Sequence, residues 1–286
     1  MSSHWISFPG LGIDAFKVDP VAFSLFGRSI MWYGVIICLG LLLAVIYTWR
    51  RFIKEGFTED QFFNYAIILI PVSVICARLY YVIFDPTPDY HSFLDVIAIW
   101  RGGIGIYGGI IGGAIVSIVY AKVIKKPILR VLDCVAPAVM IGQMIGRWGN
   151  FVNAEAHGGI TDLPWRMGIA PYHENIPYSD DYAVFYHPTF LYESLWNLIG
   201  FLIVHFVIAK KKKFEGQIAF FYLAWYGLGR GFIELLRTDS LEIFGFRVSA
   251  LVGFASALIF GTLYLVRLKK SKDKHDNTEE KAEEEK

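Results

Sequence analysis

The sequence predicts an all-α, polytopic membrane protein with seven transmembrane helices and a small outward-facing head. Three observations predict it. Of the 286 residues, 55% are hydrophobic and only 19% are charged, with a mean hydropathy of +0.45, which is too apolar for an ordinary soluble domain. Seven segments approach the length of about 20 apolar residues that a membrane span requires. The loops between these segments alternate in basic charge, as expected when successive loops lie on opposite sides of a membrane.

The predicted spans are mostly apolar segments separated by charged or turn-forming residues. They cover residues 29–48, 61–84, 103–124, 131–148, 189–209, 217–236 and 248–266. Basic clusters follow the first, third, fifth and seventh spans: Arg50, Arg51 and Lys54; Lys122, Lys125, Lys126 and Arg130; Lys210 to Lys213; and Arg267, Lys269, Lys270 and Lys272. We therefore expect these loops to be cytoplasmic, which places the N-terminus outside and the C-terminus inside.

The chain divides into a transmembrane domain, residues 1–268, and a charged tail, residues 269–286. Within the first, the long insert at about 151–188 is rich in Pro, Trp and Tyr and is predicted to form the outward head. Residues 1–28 lack the charged start and cleavage site of a signal peptide, so we expect an amphipathic surface segment. The tail turns from basic to Glu-rich and is expected to be a disordered cytoplasmic end.

Ionisable residues inside the spans are costly and point to a functional site. Arg78 lies about seventeen residues from the cytoplasmic start of its span and Arg230 about thirteen, so at about 1.5 Å per residue both reach the outer half of the bilayer. Glu234 and Arg237 continue the helix face of Arg230. Arginines at head-group depth favour a phosphate ligand.

A polar stretch, Gly146 to Gly159, follows the fourth span directly and contains Arg147, Asn150, Asn153 and Glu155. We expect it to form one wall of a phosphate-binding site at the outer leaflet. The alternative is that the arginines snorkel to the interface or pair with carboxylates, for which the candidates are Glu155, Glu193 and Glu234.

The third span begins with many glycines. Gly103, Gly105 and Gly108 match the dinucleotide-binding pattern, but no strand precedes them and the surroundings are membrane-spanning. The better interpretation is that Gly105, Gly109 and Gly113 form a face of small residues that allows close helix approach, and the glycines leave Tyr107 as the one hydroxyl of that turn. We expect no metal, because the histidines lack the spacing of a metal site, and no cofactor or nucleic acid. The absence of a nucleophile motif argues against an intramembrane serine hydrolase.

The stretch Gly146-Arg147-Trp148-Gly149-Asn150-Phe151-Val152-Asn153-Ala154-Glu155 resembles the signature of the bacterial prolipoprotein diacylglyceryl transferases. Further matches are Trp32-Tyr33-Gly34, Ala77-Arg78-Leu79, His187-Pro188-Thr189, Leu191-Tyr192-Glu193, and Arg230 with Glu234 to Arg237. The resemblance implies a multi-pass enzyme of the bacterial plasma membrane whose active site faces the outer leaflet. It also implies transfer of the diacylglyceryl group of phosphatidylglycerol to the lipobox cysteine of a prolipoprotein, with release of glycerol 1-phosphate.

The same resemblance implies roles for individual residues. The phosphate-contacting arginines of the family match Arg147 and Arg230, and the other expected substrate-binding residues are Tyr33, Arg78, Asn150, Asn153, Gly158, Glu234 and Arg237. Many members carry His-Gly-Gly where this chain has Tyr107-Gly108-Gly109, which suggests a Gram-positive type of enzyme. Tyr107 and Glu155 are the remaining catalytic candidates. Tyr107 would orient or deprotonate the thiol, and the alternative role of Glu155 is to hold the arginine geometry.

Two other classes of protein fit part of the pattern. A transporter of lipids or anionic solutes would need a path across the bilayer, whereas the ionisable residues are predicted at one leaflet. A non-catalytic lipid-binding scaffold explains head-group arginines but not the dense Gly-Arg-Asn-Glu signature.

Overall fold

The computed structural model describes residues 2–85, 90–174, 176–238, 242–243 and 245–284, and most of them are helical. The helices are α1 (Trp32–Lys54), α2 (Glu59–Phe84), α3 (Phe93–Ile97), α4 (Ile106–Val123), α5 (Ile128–Val152), α6 (Thr189–Ile203), α7 (Gln217–Leu236) and α8 (Val248–Glu284). A π-helical turn, Val204–Ile208, extends α6.

Six of the long helices, α1, α2, α4, α5, α6 and α8, are long and apolar enough to cross a membrane, counting α6 with its π-helical turn. Helix α7, which contains Arg230 and Glu234, is not among these six. The predominance of helix and the multi-pass character are thus confirmed. A seventh span, the orientation of the termini and the outward position of the head stay predictions.

The all-α prediction is wrong outside the long helices, where short strands form. The strands are β1 (His4–Phe8), β2 (Ile13–Val18), β3 (Val21–Leu25), β4 (Arg28–Met31), β5 (Met167–Pro171), β6 (Val184–Tyr186), β7 (Glu242–Ile243) and β8 (Phe246–Arg247). One antiparallel sheet has the order β2-β1-β5-β6, and β3-β4 and β7-β8 are separate hairpins. The predicted head at 151–188 therefore supplies only two strands of this sheet, and the N-terminal segment supplies the other two.

The sheet forms because its central strand buries one of its faces. Ile6 is fully buried in β1, and Met167 of β5 packs beside it with Phe8 and Phe190. The register places His4 opposite Pro171, so residues far apart in sequence become neighbours. Burial of this apolar surface supplies the main stabilisation of the sheet.

The chain forms two compact units, Met1–Ala44 with Ala136–Lys286, and Val45–Val135. The second unit contains a core of aromatic and aliphatic side chains around Phe52, Tyr65 and Val131. In this unit α4 approaches α2 closely, because a side chain at Gly108 would lie 2.2 Å from Cys76 O. The face of α4 that contacts α2 most closely is formed by Gly105, Gly108 and Gly112, rather than by the predicted Gly105, Gly109 and Gly113.

Helix α8 continues to Glu284, into the segment for which the sequence predicts disorder. Lys and Glu are good helix formers, which agrees with this continuation. Residues 285–286 of the predicted tail lie outside the described residues. The division into a domain at 1–268 and a tail at 269–286 stays a prediction.

Candidate active site

Two predicted arginines meet at one carboxylate in the first unit. Arg147 of α5 contacts Glu193 of α6, with Nη2 at 2.7 Å from Oε2. Arg230 of α7 contacts the same Oε2 through Nη1 at 3.1 Å and also pairs with Glu234 one turn further along α7. Glu193 and Glu234 are buried. Three helices thus hold two guanidinium groups within reach of one anionic group.

The signature loop continues this cluster beyond Arg147. Arg147 Nη1 donates to Asn150 Oδ1 at 3.0 Å, and Asn150 Nδ2 donates to Glu155 Oε1 at 3.0 Å. Asn153 Nδ2 donates to the same Glu155 oxygen at 3.3 Å. Asn153 Oδ1 is buried and has no hydrogen-bond partner among the described residues. An acceptor atom in that condition marks a place where an incoming donor would be favourable.

The backbone around Glu155 is unusual. Ala154 has a φ of 50° and Ala156 a φ of 57°, so both neighbours of Glu155 are left-handed. Residues other than glycine rarely adopt this conformation, and those that do cluster at functional sites. The Glu155 N–H donates to Asn150 O at 3.0 Å, which closes the loop back onto the end of α5. The turn therefore directs the Glu155 carboxylate toward the two asparagines.

Gly158 joins this loop to the neighbouring helices. Its N–H donates to His187 O at 2.9 Å, and its backbone pairs with Arg237 at the end of α7. A side chain at Gly158 would lie 2.7 Å from His187 Cβ and 2.9 Å from Leu236 O. Only glycine fits this approach without displacement, which explains the residue type in the signature. Gly158 is therefore a structural part of the site.

Tyr33, at the start of α1, packs over Gly149 of α5. A side chain at Gly149 would lie 2.6 Å from Tyr33 Cδ2, so the absence of one allows the ring to approach the helix. Tyr33 is also within electrostatic range of Glu155 and Arg147. The structure thus brings together Tyr33 and the signature residues as predicted neighbours.

His187, just before α6, lies beside the cluster's outer loop. Its Nδ1 is 3.3 Å from the Tyr192 hydroxyl. Burial lowers the pKa of His187 below its ordinary value of 6.5. The ring is therefore neutral at neutral pH and adds no positive charge.

Arg78 and Tyr107 belong to the second unit. The Arg78 guanidinium donates to four backbone carbonyls at 2.7 to 2.8 Å, those of Asp95, Val96, Gly102 and Gly103. These bonds involve all three of its nitrogens and give Arg78 a structural role in holding residues 95–103. Tyr107 stands on the first turn of α4, with its ring centre 5.9 Å from that of Tyr80. The substrate-binding role of Arg78 and the catalytic role of Tyr107 stay predictions.

The charges of the five ionisable residues in this cluster nearly compensate each other. Arg147 and Arg230 carry two positive charges, and Glu155, Glu193 and Glu234 carry three negative charges when ionised. A guanidinium has five N–H donors, and the contacts described above number two on each arginine. Each arginine can therefore bind a phosphate oxygen while keeping a carboxylate partner, although a phosphate must compete with Glu193 for the directions between them.

The sequence predicts Glu193 only as one carboxylate that could pair with the arginines and not as a site residue. Its central position depends on the packing of α6 between α5 and α7, which no local pattern reveals. The signal that existed was a charged residue inside an apolar span. Among the described residues, no three His, Cys, Asp or Glu side chains are grouped as metal ligands.

Comparison with known proteins adds independent information. Residues 20–267 match the family model described as prolipoprotein diacylglyceryl transferase. A phosphatidylglycerol–prolipoprotein diacylglyceryl transferase of Clostridioides difficile is 40% identical over 263 residues, which cover 92% of this chain and 100% of that protein. Proteins of the same name from Finegoldia magna and Streptococcus uberis are 42% and 41% identical, covering 91% and 89% of this chain and 99% and 97% of their own.

Proposed function

This chain belongs to the prolipoprotein diacylglyceryl transferase family, and we propose that its Arg147–Glu193–Arg230 cluster binds the phosphate of phosphatidylglycerol during transfer to a prolipoprotein. The observation that carries the proposal is the pair of guanidinium groups from α5 and α7 converging on one buried carboxylate oxygen. Two fixed cations that contact the same oxygen atom suit a phosphodiester, whose oxygens accept charge-assisted hydrogen bonds from arginine.

The proposed reaction is displacement at the carbon of the diacylglyceryl group that carries the phosphate. The sulfur of the lipobox cysteine forms a C–S bond as the C–O bond to the phosphate breaks, and the thiol proton passes to a base. Glycerol 1-phosphate leaves with the bonding electron pair on its phosphate oxygen. Arg147 and Arg230 stabilise the charge that grows there, and removal of one preorganised donor of this kind typically costs about 3 kcal/mol in the barrier.

Glu193 orients the arginines before the lipid arrives. Without a carboxylate between them, two guanidinium groups that are mostly shielded from solvent would repel each other. The phosphate replaces part of the Glu193 contact, so the free energy of binding is the difference between two similar interactions. This exchange favours release of the product phosphate as well as entry of the substrate.

The asparagine pair and Glu155 recognise the polar end of the lipid. The buried Asn153 Oδ1 accepts a hydrogen bond from a hydroxyl of the glycerol head group, which satisfies its missing partner. Glu155, held by both asparagine amides, is a candidate acceptor for the thiol proton. Tyr107 is the second candidate, and Tyr33, Gly158, Glu234 and Arg237 complete the proposed site around the arginines.

The proposed setting is the bacterial plasma membrane, with seven spans, the N-terminus outside and the active site at the outer leaflet. The distribution of basic loops supports this orientation. The other partners are the lipobox-containing signal peptide of the prolipoprotein and the surrounding membrane lipids.

The test uses purified protein with phosphatidylglycerol and a lipobox peptide, and it measures the mass gain on cysteine and the release of glycerol phosphate. Arg147→Ala and Arg230→Ala are each expected to lose activity by a hundredfold or more, by the magnitude given above. Arg166→Ala, in the exposed loop before β5, is the matched control. Near-normal turnover in both site variants would exclude the proposed phosphate clamp.

The proton acceptor is tested separately with Tyr107→Phe and Glu155→Gln. Loss of kcat in only one of these variants identifies that residue as the acceptor. Full activity in both removes both groups from the proton transfer. Flux or lipid binding without product would instead favour a transporter or a scaffold.

A further inference from the structure

The hairpin β3-β4 stands immediately before the first membrane-spanning helix. Leu25 pairs with Arg28 and Phe23 pairs with Ile30, and the two strands are joined by Phe26 and Gly27. No part of the catalytic cluster lies in this hairpin. Its position and its side chains therefore need an explanation of their own.

The two faces of the hairpin differ in chemistry. Side chains alternate across a strand, and directly paired residues share a face. One face carries Phe23, Leu25, Ile30 and Arg28, and the opposite face carries the serine pair Ser24 and Ser29. A β-hairpin that is apolar on one side and polar on the other fits a boundary between two media.

The apolar face is exposed in the folded chain. Phe26 is 97% exposed, Phe23 is 53% exposed and Leu25 is 51% exposed. Adjacent exposed side chains of this size form an apolar patch, which on a protein surface marks contact with a partner or a membrane. Water is therefore an unfavourable environment for this end of the hairpin.

The tip is built to project an aromatic ring. Phe26 has a φ of 49° and Gly27 a φ of 75°, the arrangement of a tight two-residue hairpin turn. Asn, Asp and Gly are the usual residues at such positions, and a bulky side chain with positive φ is rare. A phenylalanine at this position has an unfavourable backbone conformation and an exposed ring. That arrangement is favourable only where the ring contacts an apolar environment.

The base of the hairpin is tied to the membrane-spanning part of the chain. The Trp32 N–H donates to Pro20 O at 2.9 Å, so the strand pair closes on the first residue of α1. Helix α1 is one of the helices long and apolar enough to cross a membrane. Trp32 and Tyr33 are exposed at its start, and such residues are enriched where a helix leaves the hydrocarbon. The hairpin is thus joined directly to the end of a candidate membrane span.

We propose that β3-β4 is an interfacial anchor whose occupant is the lipid bilayer itself. Phe23, Leu25 and Phe26 enter the acyl-chain boundary, and the serine face remains in water. The Arg28 guanidinium, beside the tip, contacts lipid phosphate, since arginine binds phosphate through paired hydrogen bonds. This continues the lipid-contacting surface of α1 and is independent of the proposed catalytic roles. A signal peptide of a prolipoprotein is the competing occupant, but the continuity with α1 and the basic residue at the tip favour lipid.

The experiment places a nitroxide spin label on the full-length chain in nanodiscs of phosphatidylglycerol and phosphatidylethanolamine, without prolipoprotein. Labels are introduced by Phe26→Cys, by Leu25→Cys as a second probe, and by Ser24→Cys as the matched control on the opposite face. The native cysteines, Cys38, Cys76 and Cys134, are replaced by alanine, and transferase activity of this background is verified first.

Collision rates with oxygen, which dissolves in lipid, and with a water-soluble nickel chelate then report the depth of each label. We expect labels at 25 and 26 to collide several-fold more with oxygen and several-fold less with the chelate than the label at 24. Equal access of the chelate to all three labels would overturn the proposal. Protection of 25 and 26 that develops only after a lipobox peptide is added would also overturn it and would assign the patch to the prolipoprotein. Because catalysis is not the readout, failure of the anchor leaves the proposed function untouched.

Discussion

Replacing Glu193 with glutamine tests the idea that phosphate competes with a carboxylate for the two arginines. The amide keeps the size and one acceptor oxygen of Glu193 but removes its charge. In the structure that charge faces Arg147 Nη2 at 2.7 Å and Arg230 Nη1 at 3.1 Å. The substitution therefore weakens both contacts without opening a cavity.

The magnitude follows from the strength of such contacts. Hydrogen bonds to charged groups contribute about 1.5–3 kcal/mol each, roughly twice the neutral value. When phosphate enters, it displaces about half of one bond between an arginine and residue 193. Without the charge of Glu193, the free-energy cost of that displacement should fall by about 1.4 kcal/mol, which corresponds to a tenfold fall in KM for phosphatidylglycerol. In the same variant the guanidinium groups are held less firmly. A misplacement of about 1 Å lowers turnover by roughly a hundredfold, so kcat should fall while KM falls as well.

The assay titrates phosphatidylglycerol at saturating lipobox peptide and follows released glycerol phosphate. Glu155→Gln is the matched control, because Glu155 contacts the amides of Asn150 and Asn153 rather than an arginine. Its KM for phosphatidylglycerol should not fall, whatever its effect on kcat. A raised KM with unchanged kcat in Glu193→Gln would refute the competition argument, because it would mean that Glu193 assists phosphate binding.

Three further outcomes are expected. Gly158→Ala should lower activity by tenfold or more, since its new methyl group meets Leu236 O at 2.9 Å and overpacking costs about 1–3 kcal/mol; wild-type kcat/KM would contradict this. Arg78→Lys should speed hydrogen exchange over residues 95–103, because an ammonium cannot reach four carbonyls at once; unchanged protection would argue against its structural role. Burial lowers the pKa of His4 in the folded protein below 6.5, so below that pH the unfolded state binds more protons than the folded state. The free energy of unfolding therefore falls as the pH falls below 6.5. The unfolding midpoint of His4→Gln should depend less on pH between about 5 and 6.5, and an identical pH profile would refute this.

Much of the helical framework was predictable from local sequence. The predicted spans at 61–84 and 131–148 lie within α2 and α5, because a long apolar segment can satisfy its backbone in a bilayer only as a helix. Arg147, Asn150 and Glu155 were also predicted to lie together, since polar and ionisable side chains at the end of a span are conspicuous.

The β structure was not predictable in the same way. Strand β1 pairs with β5, more than a hundred and fifty residues later, and the pairing is determined by the burial of Ile6 and Met167. A short strand carries little local signal until its partner is known. Arg78 illustrates the same limit, because its position inside an apolar span indicates a buried need for partners but not that backbone carbonyls provide them.

The sequence by itself determined which segments are helical and apolar, and it identified the Gly146 to Gly159 stretch as the candidate site, because hydrophobicity and motif are properties of neighbouring residues. The tertiary structure alone decided that Glu193 lies between Arg147 and Arg230 and that the N-terminal segment completes the sheet of the head. Those relations depend on helices and strands distant in sequence, whose packing is selected by the burial of shared surfaces and the pairing of buried charges.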